Sequence, residues 1–368
     1  MKNHHIAHLV CTAALLGAGL AATPSAAAHT VHLVRPGESI QSAVDAASPG
    51  DTVLLAHGTH HESVNVTTPG LTLRGMGRGT VLEPETGPST ATTTAPTTGS
   101  GAAEAANSCA AAGNGICVTG TKNHSVDGVT IASLTVTGFT RSGIHAYEAD
   151  GLTVRRVTAV KNGVWGIATE RSVHGVFRDN TARDNGDAGL FLANSVTEEQ
   201  GATDTEGTLV ERNRLEGNRI GVTVRRLRNL TVAGNHLTGN CAAVFVVGDE
   251  NKPKAGRVTV RDNYIERNNK FCPKTARLDA LQGSGIVLTG TEDNLVTHNV
   301  IKNNVGTSPL SGGIVLFKSL VGTANERNWI SDNLVQGNSP ADLVITDPGK
   351  DNTFQDNTCG SSKPAGLC

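Results

Sequence analysis

Gly143-Ile144-His145-Ala146, Gly166-Ile167-Ala168-Thr169, Gly189-Leu190-Phe191-Leu192 and Gly221-Val222-Thr223-Val224 are four statements of one phrase, a glycine followed by alternating apolar residues. The first three glycines are 23 residues apart and the fourth follows after 32. Between them lies a second phrase, a strand-like run closing on asparagine, at residues 176–180, 208–213 and 230–235. A period in the twenties predicts a stacked repeat, because one such unit is too small to bury its own apolar face. Working outward, the glycine phrase continues through Ala243-Val244-Phe245-Val246, Gly285-Ile286-Val287-Leu288 and Gly313-Ile314-Val315-Leu316 to a degenerate Leu343-Val344-Ile345. The asparagine phrase recurs at Asn263, Asn299, Asn333 and Asn357. These asparagines are expected at coil corners, in the left-handed conformation, with their amides bonded from coil to coil.

Glycine supplies 43 of the 368 residues, aromatic residues only 3% and charged residues 17%. Such a chain suits many short strands joined by tight turns and argues against a helical bundle. The formal net charge is −2, or −3 without Lys2. That balance offers no concentrated basic surface overall, so nucleic acid is not an expected partner. Residues 1–28 read as a secretory signal: Lys2, an apolar run beginning near Ile6, and Ala26-Ala27-Ala28 before His29. The run is too short to span a membrane, and no later segment approaches the apolar length required. Beyond it stand Cys109, Cys117, Cys241, Cys272, Cys359 and Cys368. An even number of cysteines in an exported chain favours disulfides over metal thiolates. About fifteen pairings are open to six cysteines; the local set 109–117, 241–272 and 359–368 fits best and points to an oxidising, extracellular location.

Residues 38–47 place Ile40, Ala43, Val44 and Ala47 on one helical face. Ser48-Pro49-Gly50-Asp51 stops that helix, and Thr52-Val53-Leu54-Leu55 begins a strand. A helix is what the open end of a stacked repeat needs, since the terminal unit must hide an apolar end and sheet edges. Residues 38–75, together with the two downstream phrases, resemble the right-handed parallel β-helix proteins of the pectate-lyase-like superfamily, over residues 31–359. The resemblance implies an all-β fold: a single right-handed parallel β-helix over residues 29–368, of about ten coils, with an N-terminal capping helix. The Thr/Ala-rich stretch 86–108, almost uncharged, is expected to be a flexible insertion in an early coil.

Alternate side chains of a strand face opposite sides. With the branched residues of the glycine phrase inside, the outward pairs are His145/Tyr147, Ala168/Glu170, Phe191/Ala193, Thr223/Arg225, Phe245/Val247, Val287/Thr289 and Val315/Phe317. In-register parallel stacking brings equivalent positions within about 5 Å from coil to coil. His145, Tyr147, Glu170 and Arg225 then share one surface, and Phe191, Phe245 and Phe317 form an apolar track. Insertions at 195–207, 248–256 and 268–283 flank the same strand, on the kind of face where repeat proteins often bind. In the superfamily this sheet commonly carries a polysaccharide groove. With export expected from the leader and the cysteines, and a monomer expected, the resemblance implies a β-helix protein that binds an acidic uronate polysaccharide and cleaves or epimerises it by β-elimination-type chemistry, in the manner of a polysaccharide lyase or C5-epimerase. Such chemistry needs a cation for the uronate carboxylate, a base for the proton α to it and an acid for the leaving oxygen. Arg225 is the candidate cation, His145 the base and Tyr147 the acid, with Glu170 orienting a sugar hydroxyl and Phe191, Phe245 and Phe317 binding substrate.

No specific catalytic signature accompanies these residues. The Gly-His-Gly and Arg-Ile-Lys phrases of polygalacturonases are absent. The nearest text to the Asp-Pro-His-Asp of alginate epimerases is Asp347-Pro348-Gly349-Lys350-Asp351, which lacks the histidine. Asp179, Asp184 and Asp187 offer paired acids, but aspartate is common in turns for conformational reasons. Two alternatives therefore stand. One is a non-catalytic glycan- or envelope-binding surface module. The other is metal handling through His57, His60, His61 and Glu62, imidazoles at a spacing that suits copper or zinc. No resident metal or cofactor is assigned with certainty; Ca²⁺ is the ion for which one insertion, with Glu198, Glu199, Asp204 and Glu206, has oxygen donors.

Overall fold

The computed structural model describes residues 29–85, 109–276, 278–319, 321–347 and 349–368. The expected leader 1–28 and the insertion 86–108 lie outside the described residues. Short strands recur in a fixed order and collect into sheets of 12, 11 and 11 strands, one strand from each coil, paired in parallel. The result is a parallel β-helix. It has slightly more coils than the phrases suggest, because Val31–Val34, Thr52–Leu55 and Thr72–Gly75 join the first sheet without stating either phrase.

The glycine phrase builds the third sheet, in strands Ser142–Tyr147, Trp165–Glu170, Ala188–Ala193, Ile220–Arg225, Ala242–Val247, Ser284–Thr289 and Gly312–Phe317. Its register stacks Ile144, Ile167, Leu190, Val222, Val244, Ile286 and Ile314 in one inward column. That column meets Ile131, Val154, Phe177 and Val210 of the first sheet inside the coil, all of them buried. Each such side chain contributes about 1.5–3 kcal/mol over leaving it in water, and only stacking supplies the cover. The leading glycine answers to the same stacking: a Cβ at Gly166 would lie 2.6 Å from the Gly189 carbonyl oxygen of the next coil.

The opening helix is Ile40–Ala46, capped by Ser39, whose hydroxyl accepts the Ser42 N–H. Glu62 completes the cap. Its carboxylate accepts from the N–H groups of Ile40 (2.6 Å) and Gln41 (3.1 Å) and from the Ser39 hydroxyl (2.9 Å), where the helix dipole favours an anion.

The asparagines form ladders, as expected, but the left-handed residue is the one before each of them. Asp179, Arg212, Asp262, His298, Asp332 and Asp356 have φ between 51° and 58°. The bend falls there because the asparagine itself must turn its side chain into the corner to reach both neighbouring coils. Asn180, Asn213, Asn235, Asn263, Asn299 and Asn333 each donate their backbone N–H and side-chain amide to the Oδ1 of the next, at 2.9–3.1 Å, and Asn357 closes the ladder as the last acceptor. A second ladder, not anticipated, runs through Asn162, Asn185, Asn218, Asn240, Asn268, Asn304 and Asn338. It ends on Asp342, whose Oδ1 accepts both donors of Asn338 at 2.9 Å. A carboxylate suits that terminus because its second oxygen accepts the Gly360 and Ser361 N–H groups. The cysteines pair as 109–117, 241–272 and 359–368.

Candidate functional site

On the outer face of the third sheet the register makes two rows continuous. His145, Ala168, Phe191, Thr223, Phe245, Val287 and Val315 form one; Tyr147, Glu170, Ala193, Arg225, Val247, Thr289 and Phe317 form the other. A groove of about 740 Å³ lies over the middle of this face. Trp165, Phe191, Phe245 and Phe317 make its floor and belong to one apolar cluster outside the coil. Trp165 stacks on Phe191 with centroids 4.3 Å apart and ring planes 13° from parallel.

Sequence alternation does not find Trp165, which shares parity with the inward Ile167. The reason is a bulge: the N–H groups of Val164 and Trp165 both bond the Arg141 carbonyl, so the pleat slips by one at the start of the strand. Ile220 and Ala242 begin their strands in the same way, on the carbonyls of Asp187 and Arg219.

One wall of the groove is the row of turn residues before the strands, Val164, Asp187 and Arg219, joined N–H to carbonyl at 2.7 and 2.9 Å. Leu278 and Asp279 of the 268–283 insertion extend it, and the Cys241–Cys272 disulfide ties that insertion to the sheet. Val196, Arg226 and Asp249, from segments after the strands, make the opposite wall. The charges are mostly fixed by neighbours. Arg219 is buried and donates to the carbonyls of Pro273 (2.8 Å) and Asp279 (3.3 Å). Arg226, also buried, pairs with Asp249 and reaches Glu199 at 3.3 Å. Asp187 Oδ2 accepts the indole N–H of Trp165 at 3.1 Å. Loss of surrounding water pushes the Asp187 carboxyl above its ordinary value, against the opposing pull of that bond and of Arg219. Asp179 and Asp184 instead pair with Arg212 and Arg183 away from the groove.

His145, Tyr147 and Glu170 stand beyond the Trp165 end of the groove. His145 Nε2 lies 3.1 Å from Glu170 Oε1, and its ring runs nearly parallel to Trp165 at 6.4 Å. The other Glu170 oxygen accepts the Val196 N–H at 2.7 Å. Burial works to raise the Glu170 carboxyl, yet the bonds from His145 and Val196 hold it below its ordinary value. Tyr147 neighbours Glu170 in register and lies against the Arg171 guanidinium, 5.9 Å from ring centroid to Cζ. Arg225 lines the groove and donates to the Ser195 carbonyl. So His145 and Glu170 are joined directly, whereas Glu170 and Arg225 meet through the Ser195–Val196 backbone, one from the coil before it and one from the coil after.

The proposed metal donors are dispersed among other partners. Glu198 pairs with Arg171, Glu199 with Arg226, Asp204 with Asn229 at 2.9 Å and Glu206 with His174 at 3.1 Å. His60 meets the Ala56 carbonyl and His61 the Pro84 carbonyl, while Glu62 caps the helix. Among the described residues, no three His, Cys, Asp or Glu side chains converge as metal ligands would.

The family described as "Right handed beta helix region" matches residues 98–203, 198–323 and 252–367. No curated protein matches the chain. Among solved structures, the chain is similar to the A-module of a mannuronan C-5 epimerase from Azotobacter vinelandii, at 18% identity and TM-score 0.52, over 86% of this chain and 89% of that one. It is similar to an alginate lyase from a Paenibacillus species at 16% identity and TM-score 0.53, over 89% and 98%. A family 28 exopolygalacturonase from Yersinia enterocolitica gives 12% identity and TM-score 0.57, over 91% and 77%. At these identities the likeness is one of fold.

Proposed function

We propose a function on one premise: the chain belongs to the right-handed β-helix family. The groove on its third sheet binds an acidic polysaccharide. The observation that carries this is the stacked Trp165–Phe191 floor set between guanidinium-bearing walls. Sugar rings lay their apolar faces on aromatic rings, and a uronate carboxylate is met by a guanidinium fork. An epimerase, a lyase and an exopolygalacturonase on the same fold, named for mannuronan, alginate and polygalacturonate, support this class of ligand.

At the end of the groove, the proposed chemistry is β-elimination. The His145 Nε2–H bond to Glu170 leaves the lone pair on Nδ1, which takes the proton α to the uronate carboxylate. The electron pair becomes the new double bond, and the glycosidic oxygen departs with the proton of Tyr147. Arg225 meets the carboxylate, and Glu170 holds the tautomer of His145 rather than a sugar hydroxyl. Binding without catalysis is the alternative, favoured because Glu170 and Arg225 are both engaged by the Ser195–Val196 backbone. Three disulfides accord with an oxidising compartment, and export is part of the proposal.

The test is ultraviolet absorbance during incubation with alginate and polygalacturonate, with and without Ca²⁺. Rising absorbance from unsaturated uronates, abolished by His145→Ala with Tyr147→Phe, supports the lyase. Turnover unchanged in that double variant removes both residues from the mechanism, and binding without any rise leaves the non-catalytic module.

A further inference from the structure

The outer face of the first sheet carries a row of arginines that the groove does not use. Its register sets Arg74, Ala132, Arg155 and Arg178 side by side on four successive coils. Their neighbours Leu73, Ile131, Val154 and Phe177 are buried inside the coil, so the arginines point out. Arg78 and Arg156 add two cations at the bend into the second sheet, where they line a hollow of about 330 Å³ with Thr158 and Thr181.

None of these five arginines has an ion-pair partner among the described residues, and the nearest acids are engaged elsewhere. Glu211, next to Arg178 in the row, pairs with Arg212 at 3.0 Å, and Asp179, at the rim of the hollow, pairs with the same Arg212 at 3.1 Å. Arg178 Nε is buried without a hydrogen-bond partner. Later coils show the contrast: Arg261 on this sheet pairs with Asp262, and Arg327 beside it with Glu292 and Asp293. Like charges opposite one another on adjacent strands destabilise a sheet, and a guanidinium cannot escape by losing its proton. An anion across the row would relieve the repulsion.

We propose that this row is a second binding site, separate from the groove, for an acidic polysaccharide lying along the coil axis. Arg155 and Arg178 stand one coil rise of about 4.8 Å apart, and Arg74 stands two rises from Arg155 across Ala132, a spacing that suits a polymer with an anion on each unit. The adjacent outward row is Thr72, Thr130 and Thr153, which sets hydroxyls beside the guanidiniums to meet sugar hydroxyls. Neither row carries an aromatic ring on these coils on which a nucleobase would stack. A polymer held here stays at high local concentration around the whole molecule, whatever the groove does with it.

The test runs the full mature chain through native gels containing polygalacturonate, alginate, neutral dextran or single-stranded DNA. The wild type is expected to be retarded by the two uronate polymers and not by dextran, less so as salt rises. Arg155→Gln with Arg178→Gln, and separately Arg78→Gln with Arg156→Gln, are expected to lose about tenfold or more in affinity. Melting temperatures should stay level or rise, since repulsion is removed. Equal retardation of wild type and both variants overturns the site, and DNA retarding as strongly as the uronates overturns its assignment. A fall in melting temperature in both variants makes the arginines structural and also overturns it. Uronate oligomers too short to reach both faces, read by Trp165 fluorescence in a Trp329→Phe background because Trp329 is exposed on the first sheet, report on the groove alone, so its failure is distinguishable from failure here.

Discussion

Trp165 reaches the groove through a backbone detail: two consecutive N–H groups share the Arg141 carbonyl, and the side chain that alternation sends inward comes out over Phe191. His145, Glu170, Phe191, Phe245 and Phe317 could be placed on the outer face from period two alone, because they sit mid-strand where the pleat is regular. Asp187, Arg219 and Arg226 could not, since turns have no period to read. Trp165→Ala is expected to weaken binding of a uronate oligomer by about 2 kcal/mol or more, measured by titration calorimetry, with the fold kept. A second residue-scale effect concerns pH. The bond from His174 to Asp150, 2.7 Å long, raises the imidazole above its ordinary value of 6.5 despite some desolvation, and the charges of Asp150 and Glu206 add to it. A raised histidine stabilises the folded state below its unfolded value and loses that contribution as pH climbs through the folded one. Melting temperature should therefore fall slightly as pH rises above 6.5, and His174→Gln should flatten that dependence. The effect is small because the trio is exposed and screened.

Among the elements, the asparagine ladders are the least replaceable. Asn263 accepts two donors from Asn235 and gives its own amide to the Val232 carbonyl, all inside the coil. Asn263→Ala strands these groups away from water, with an expected loss of about 3 kcal/mol or more in chemical denaturation. The first ladder was legible because its asparagines close the recurring strand-like phrase; the second, which stands in the turns before the third-sheet strands, was found only once the coils were stacked. The third-sheet strands supply the groove floor, but the insertions supply its walls. Replacing Cys241 and Cys272 by alanine frees the insertion that carries Leu278 and Asp279. By loop-closure entropy for a separation of 31 residues, this costs about 3–4 kcal/mol of stability. Weaker oligomer binding with an intact strand signal in circular dichroism is expected.

At the scale of the molecule, the architecture follows from one constraint: no coil can cover its own apolar interior, so coils of similar length must stack in register. That constraint writes a period into the chain, which is why the fold was readable from it. Chemistry has no such period. The groove is assembled from turns and insertions on different coils, where each residue answers to a local partner rather than to the repeat, and the unpaired arginine row on the first sheet is visible only once strands are aligned.

The central claim is that the third-sheet groove binds an acidic polysaccharide, and the most direct measurement is Trp165 fluorescence, with the exposed Trp329 replaced by phenylalanine, during titration with short alginate and polygalacturonate oligomers. The account predicts saturable quenching or enhancement by at least one uronate series, none by neutral oligomers, and loss of affinity in Arg219→Gln. A flat response to both uronate series, with the protein folded and its disulfides formed, would contradict it.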